Sequence, residues 1–142
     1  MKPLDCLEKR DLLAAKKFDP DIVREYAEEF FNEGLYGDAF AFFRKIEDRK
    51  GLERVKRAAV EEGNPEILWR LEHDDRSMIE NSDWQACGEA AMRQERFRNA
   101  AFAFRKSGDA ERQAKAEAEF MPPPEEPDEA ADEKKADPRA DV

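Results

Sequence analysis

Apolar residues recur along this chain at spacings of three and four, with polar residues filling the gaps. Ile22, Val23, Tyr26, Ala27, Phe30 and Phe31 form one such stripe. That period places them on one face of an amphipathic helix. Leu4, Leu7, Leu12, Ala14 and Ala15 predict an earlier helix over residues 4–17. Ala39, Phe42, Phe43 and Ile46 predict a return helix over 36–48, and Leu52, Val55, Ala58, Ala59 and Val60 another beyond Gly51, which reads as punctuation. Asp19 then Pro20 reads as a helix cap followed by a first-turn proline, and Gly34 as that helix's end. Gly63-Asn64-Pro65 is a second stop and restart, opening a helix over 66–71. The polar run from His73 to Ser77 reads as a loop, with a short helical turn at Met78 and Ile79. Asp83 reads as the cap of a helix over 84–94; helices over 97–106 and 110–120 follow, separated by Ser107-Gly108-Asp109. Alternating β-branched runs and Asn-Gly turns are absent, so the pattern is all-α.

One stretch is written twice. Ala39-Phe40-Ala41-Phe42-Phe43-Arg44-Lys45 returns 61 residues later as Ala100-Ala101-Phe102-Ala103-Phe104-Arg105-Lys106, each preceded by an aromatic, Tyr36 and Phe97. Self-similarity of this kind marks a repeat architecture. Phe40, Phe42 and Phe43 cannot share one helix face, so Phe40 is expected to look toward a neighbouring repeat. Arg44-Lys45 and Arg105-Lys106 sit near helix C-termini, where cations meet the negative end of the helix dipole.

Composition changes the picture after Met121. Residues 121–142 hold eight acids, three bases and five of the eight prolines, with almost no large apolar side chain. Such a segment buries too little to offset its ordering entropy, so a disordered, acidic, Pro-rich tail (121–142) is expected beyond a single helical domain (1–120). The net charge of −10 divides evenly between the two parts. That balance argues against nucleic acid and against anionic membrane surfaces. No apolar run approaches the ~20 residues of a membrane span. The N-terminal stretch is interrupted by Asp5, Glu8, Lys9, Arg10 and Asp11, unlike a signal peptide. Cys6 and Cys87 form no CxxC pair and read as two half-buried reduced thiols, with a disulfide left open. These features together suggest a cytoplasmic protein.

Two segments resemble the tetratricopeptide (TPR) repeat. The better one runs from Trp84 through Cys87, Gly88, Ala91, Met92, Glu95, Phe97 and Ala100 to Phe104. The second has Val23, Tyr26, Ala27, Phe30, Phe31, Gly34, Tyr36, Ala39, Phe43 and Ile46, lacking the opening Trp. Small residues let two helices approach, so Ala27 is expected opposite Ala39 and Gly88 opposite Ala100. Tyr36 and Phe97 would fill the wedge beside each turn, and Phe43 and Phe104 would pack on the next helix. Residues 51–71 have the size of a third helix pair but fit a HEAT-like unit as well as a TPR. The resemblance implies a short α-solenoid of about three antiparallel helix pairs with flanking helices. It also implies a concave groove lined by the first helix of each pair. Carried over, the partner-binding candidates are Arg24, Glu28, Phe31 and Asn32, then Glu53 and Arg57, then Gln85, Glu89, Met92 and Arg93. Mixed charge with Phe31 and Met92 suits an amphipathic helix or an extended peptide.

Reactive chemistry has little to stand on. His73 is the sole histidine, flanked by Glu72, Asp74 and Asp75. Neighbours in sequence on a loop rarely converge on one ion. Phosphate-cradling glycine motifs are absent, and nothing beside Cys6 or Cys87 marks a nucleophile. The expected function is a non-catalytic protein-interaction module, an adaptor or scaffold, needing no cofactor or metal, with a protein or peptide partner. A small acidic TPR chaperone for secreted or membrane clients is the alternative, and an enzyme or metal protein centred on His73 is the alternative of another class. Short arrays expose their ends, which leaves self-association open.

Overall fold

The structure is a computed structural model and describes residues 2–122. Those residues form eight α-helices and no strand: α1 (Cys6–Ala14), α2 (Pro20–Asn32), α3 (Tyr36–Lys45), α4 (Arg49–Glu62), α5 (Pro65–Asp74), α6 (Asn81–Arg93), α7 (Phe97–Ser107) and α8 (Ala110–Glu117). A 3₁₀ turn, Arg76–Met78, separates α5 from α6. The all-α expectation holds over this range. The tail expectation lies outside the described residues, Met121 and Pro122 apart.

Local chemistry sets the helix boundaries. The carboxylates of Asp19, Asp48 and Asp109 and the amide oxygen of Asn64 accept from first-turn N–H groups, those of Asp21, Gly51, Arg112 and Glu66 respectively. Pro20 and Pro65 open their helices without wasting a donor. Five helices end alike, on a residue with positive φ: Gly34, Glu47, Gly63, Glu95 and Gly108. The next residue's N–H then reaches back over the last turn, as from Leu35 to the Phe30 carbonyl (2.8 Å) and from Arg96 to the Ala91 carbonyl (2.8 Å). This Schellman closure satisfies carbonyls that the helix leaves open.

The repeat seen in the sequence is a repeat of structure. Helix α2 spans Pro20–Asn32 and α6 spans Asn81–Arg93, both ends displaced by 61 residues. The start of α3 at Tyr36 maps onto α7 at Phe97, and α4 at Arg49 onto α8 at Ala110. Left-handed Gly34 and Glu47 correspond to Glu95 and Gly108. The cap Asp48 corresponds to Asp109. Glycine and glutamate thus exchange places at equivalent turns.

Several boundaries differ from expectation. Gly51 is not punctuation: it lies buried in the first turn of α4. A Cβ there would stand 2.3 Å from the Phe43 ring, so glycine makes room for that aromatic. His73 and Asp74 belong to α5 rather than to a loop. Helix α6 begins before Asp83, whose carboxylate reaches back to accept from the Glu80 N–H at 2.9 Å. Helix α1 is shorter than 4–17 and buries none of its residues. Its C-terminal carbonyls are instead held by Lys45, whose ammonium donates to Leu13 O (2.8 Å) and Ala15 O (2.7 Å). Ile22 is exposed.

From α2 onward consecutive helices pack as neighbours, most extensively α2 with α3, α6 with α7 and α7 with α8, while α4 also lies against α6 and α1 against α3. The main core joins Val23, Ala27, Ala39, Phe40, Phe42, Phe43, Val55, Leu68, Leu71, Trp84 and Cys87. Phe40, Phe42 and Phe43 are all buried. A smaller cluster of Ala91, Ala100, Ala101, Phe104 and Ala116 holds α8. Alanine contributes far less buried area than phenylalanine or leucine, so this end is the more weakly held. Ala27, Ala39, Gly88 and Ala100 are all buried. What fills the space at Gly88 is the Phe104 ring, 2.6 Å from where a Cβ would stand. Phe104 therefore packs on its own hairpin partner as well as on the next helix, α8, where Arg112 lies 5.6 Å from its ring; Phe43 packs on the next helix as expected. Tyr36 and Phe97 are only partly buried and so bear less of the core than expected.

Candidate partner-binding groove

Side chains join α2, α4, α6 and α8 one to the next. Glu28 on α2 accepts both bonds of a bidentate pair from Arg54 on α4, at 2.6 and 2.9 Å. The Arg54 guanidinium also lies 4.4 Å over the Phe31 ring. Lys56 on α4 donates to Asp83 on α6 at 3.4 Å and to the Met78 carbonyl at 3.1 Å. Glu89 on α6 pairs with Arg112 on α8 at 2.7 Å, which raises the Arg112 pKa. Gly63, at the end of α4, meets the backbone of Ala91 on α6 closely, with a Cβ position only 2.6 Å from the Ala91 nitrogen. These ion pairs are partly exposed and contribute little to stability. They align neighbours; the buried contacts hold them.

The ten candidate residues fall into two groups on this row. Arg24, Glu28 and Phe31 are engaged within the chain: Arg24 with Asp21 (3.3 Å) and Asp48 (3.7 Å), and Glu28 and Phe31 with Arg54. Glu53 pairs with Arg49 at 3.7 Å. Arg57, Gln85, Arg93 and Asn32 are exposed and carry no side-chain hydrogen bond or ion pair among the described residues. Glu53 and Arg57 line a depression of about 260 Å³ with Lys56, Val60 and Asp83. Glu89, Met92 and Arg93 line another of about 450 Å³ with Phe104, Arg112 and Lys115. Two unpaired guanidiniums, Arg57 and Arg93, thus border apolar floor supplied by Val60 and Met92.

Sequence reasoning missed Lys56, Val60, Lys115 and Arg112. Val60 was legible, one turn from Arg57 on the same helix. The pairs Glu28–Arg54 and Glu89–Arg112 span 26 and 23 residues. No local spacing announces them. A larger depression of about 730 Å³ lies between α1 and α3, where Lys9 and Asp38 neutralise each other at 3.0 Å.

The groups around His73 diverge. Glu72 accepts from the Trp84 indole N–H (2.9 Å) and from Lys106 (2.7 Å), tying α5, α6 and α7 together. Burial pushes its pKa up, but the Lys106 and Trp84 bonds outweigh this and leave it below the ordinary value. Asp74 pairs with Arg44 at 2.9 Å. Asp75 caps the 3₁₀ turn through Ser77, which holds its carboxyl below the usual range. His73 stacks on Trp69, ring centroids 5.7 Å apart. Both cysteines are free, and neither is half-buried as expected: Cys6 is exposed, while Cys87 is buried, with its thiol pushed up to about 12 by desolvation. No helix of the described residues is long and apolar enough to cross a membrane. Comparison with protein-family models, curated proteins and solved structures gave no match.

Proposed function

We propose that this protein is a non-catalytic interaction module of TPR-like solenoid type, holding a peptide or helix along the row α2, α4, α6 and α8. The observation that carries the reading is the pair of depressions on α4 and α6. Each combines a guanidinium unpaired among the described residues, Arg57 or Arg93, with apolar floor, Val60 or Met92. The recurrence of the helical pair at a 61-residue displacement supports it, because stacked repeats create extended binding surfaces. An amphipathic ligand fits this chemistry: apolar side chains settle against Val60 and Met92 while its carboxylates meet Arg57 and Arg93. Glu28 and Glu89 do not repel such a ligand strongly, since Arg54 and Arg112 already neutralise them. Much of the remaining surface is self-paired.

A photo-crosslinking residue placed at Arg57 or Arg93 tests this. Both positions are exposed, so folding is retained. Adducts to the same partner are expected from both positions, and each is expected to be lost when the other arginine is reversed, Arg93→Glu with the probe at position 57 and Arg57→Glu with the probe at position 93. Adducts formed equally from exposed Arg70 on α5, or unchanged by the charge reversal, contradict the groove assignment.

A further inference from the structure

A second groove lies between α5 and α7. It has a volume of about 540 Å³ and is lined by Pro65, Glu66, Trp69, Arg98, Asn99 and Phe102. Trp69 is 49% exposed, unusual for the largest apolar side chain, while the other tryptophan, Trp84, is 2% exposed. Two cations border the groove. Arg105 lies 5.2 Å over the Phe102 ring, and Arg98 lies 5.0 Å over Phe120. Neither has a carboxylate within ion-pair distance among the described residues. Glu66, the acid in the lining, is neutralised by Arg70 at 2.8 Å. In a chain of net charge −10, this is a cationic, aromatic spot.

The chain itself comes to the rim of this groove. Phe120 sits against Arg98 and Asn99 in an adjoining depression, and those two residues also line the Trp69 groove. The residues that come next are Met121-Pro122-Pro123-Pro124-Glu125-Glu126-Pro127-Asp128-Glu129, with four prolines, four acids and no base. Proline-rich segments dock in aromatic-lined grooves, and acidic groups favour free guanidiniums. We propose that residues 123–129 occupy the Trp69–Phe102 groove, prolines against the indole and carboxylates against Arg98 and Arg105. Attachment only a few residues away gives the segment a millimolar effective concentration. A weak contact then suffices. The groove on α5 and α7 is separate from the candidate groove on α4 and α6, so either assignment stands without the other.

Acrylamide quenching of tryptophan fluorescence in the full chain tests the proposal, because buried Trp84 contributes little to the quenched signal. Reversing the segment's charge, with Glu125→Lys, Glu126→Lys, Asp128→Lys and Glu129→Lys together, is expected to remove protection of Trp69. Wild type in ~1 M NaCl, where the screening length is about 3 Å, is expected to lose protection too. Adding Arg98→Glu and Arg105→Glu to the reversed segment is expected to restore it, and helicity at 222 nm verifies folding of each variant. Equal quenching in wild type and the charge-reversed chain overturns the proposal, as does failure of the restoring variant when it is folded. Protection that falls on tenfold dilution also overturns it, by assigning the groove to another copy.

Discussion

Replacing Gly63 with alanine probes a close approach between the end of α4 and the backbone of α6. Gly63 ends α4 at φ 67°, and a Cβ there would lie 2.6 Å from the Ala91 nitrogen and 2.7 Å from its Cα. Both atoms are backbone of α6, so no rotamer change relieves the overlap. The left-handed conformation costs a non-glycine residue about 1–2 kcal/mol. Forcing the helices apart adds roughly 1–3 kcal/mol of overpacking. Loss of glycine's freedom in the unfolded chain returns about 0.4–1 kcal/mol. The net is a destabilisation of about 1–5 kcal/mol. Gly34→Ala is the control. Gly34 has the same hand of backbone, φ 78°, with nothing within 4 Å of its Cβ position. Its loss should be about 0–1.5 kcal/mol, on the same strain and entropy figures. Urea unfolding followed by circular dichroism measures both, with the midpoint shifting at constant slope. In thermal unfolding the difference corresponds to roughly 3–6 °C per kcal/mol for a domain of this size. Equal losses for the two variants would refute the close α4–α6 approach.

Three further outcomes follow from the same structure. Glu47→Gly and Glu95→Gly relieve left-handed backbone at φ 52° and 59° and should each raise stability by about 0.5–1 kcal/mol, seen as a higher melting temperature; a fall would mean these turns are not Schellman closures. A disulfide-exchange reagent should label one thiol of the native protein, exposed Cys6, and a second only after denaturation, because Cys87 is buried with a pKa of about 12; two fast thiols would contradict its burial. Glu72 has a depressed folded pKa, so its bonds to Lys106 and Trp84 stabilise the fold above its ordinary value of 4.5 and are lost as pH falls through the lower folded value. Glu72→Gln should therefore lower stability at pH 7 and flatten its decline below pH 4.5; an unchanged acid limb would count against the Glu72 assignment.

The sequence carries the helices and their repetition because both are local. Asp19-Pro20 and Gly63-Asn64-Pro65 announce their boundaries through capping and φ preference, and the structure follows them. Gly51 misleads because a glycine that admits the Phe43 ring looks, in one dimension, the same as a glycine that ends a helix. The left-handed glutamates, Glu47 and Glu95, leave no compositional sign; only their alignment with Gly108 and Gly34 across the repeat reveals them. His73 and Asp74 read as loop because they are charged, yet the helix continues under them, with Asp74 paired to Arg44. At the candidate groove, Arg57 and Arg93 follow from helical position. The neutralisation of Glu28 and Glu89 does not, since it depends on Arg54 and Arg112 arriving from other helices.

Helix α4, the last helix of the first repeat copy, joins that copy to the second, leaning on α3 through Gly51 and on α6 through Gly63. A nuclear Overhauser spectrum of the full chain reads both contacts at once. Strong cross-peaks are predicted from the Gly51 Hα protons to the Phe43 ring and from the Gly63 Hα protons to the Ala91 amide. A spectrum with the Gly51–Phe43 peaks present and the Gly63–Ala91 peak missing would detach α4 from α6, and with it the continuous row on which the proposed groove depends.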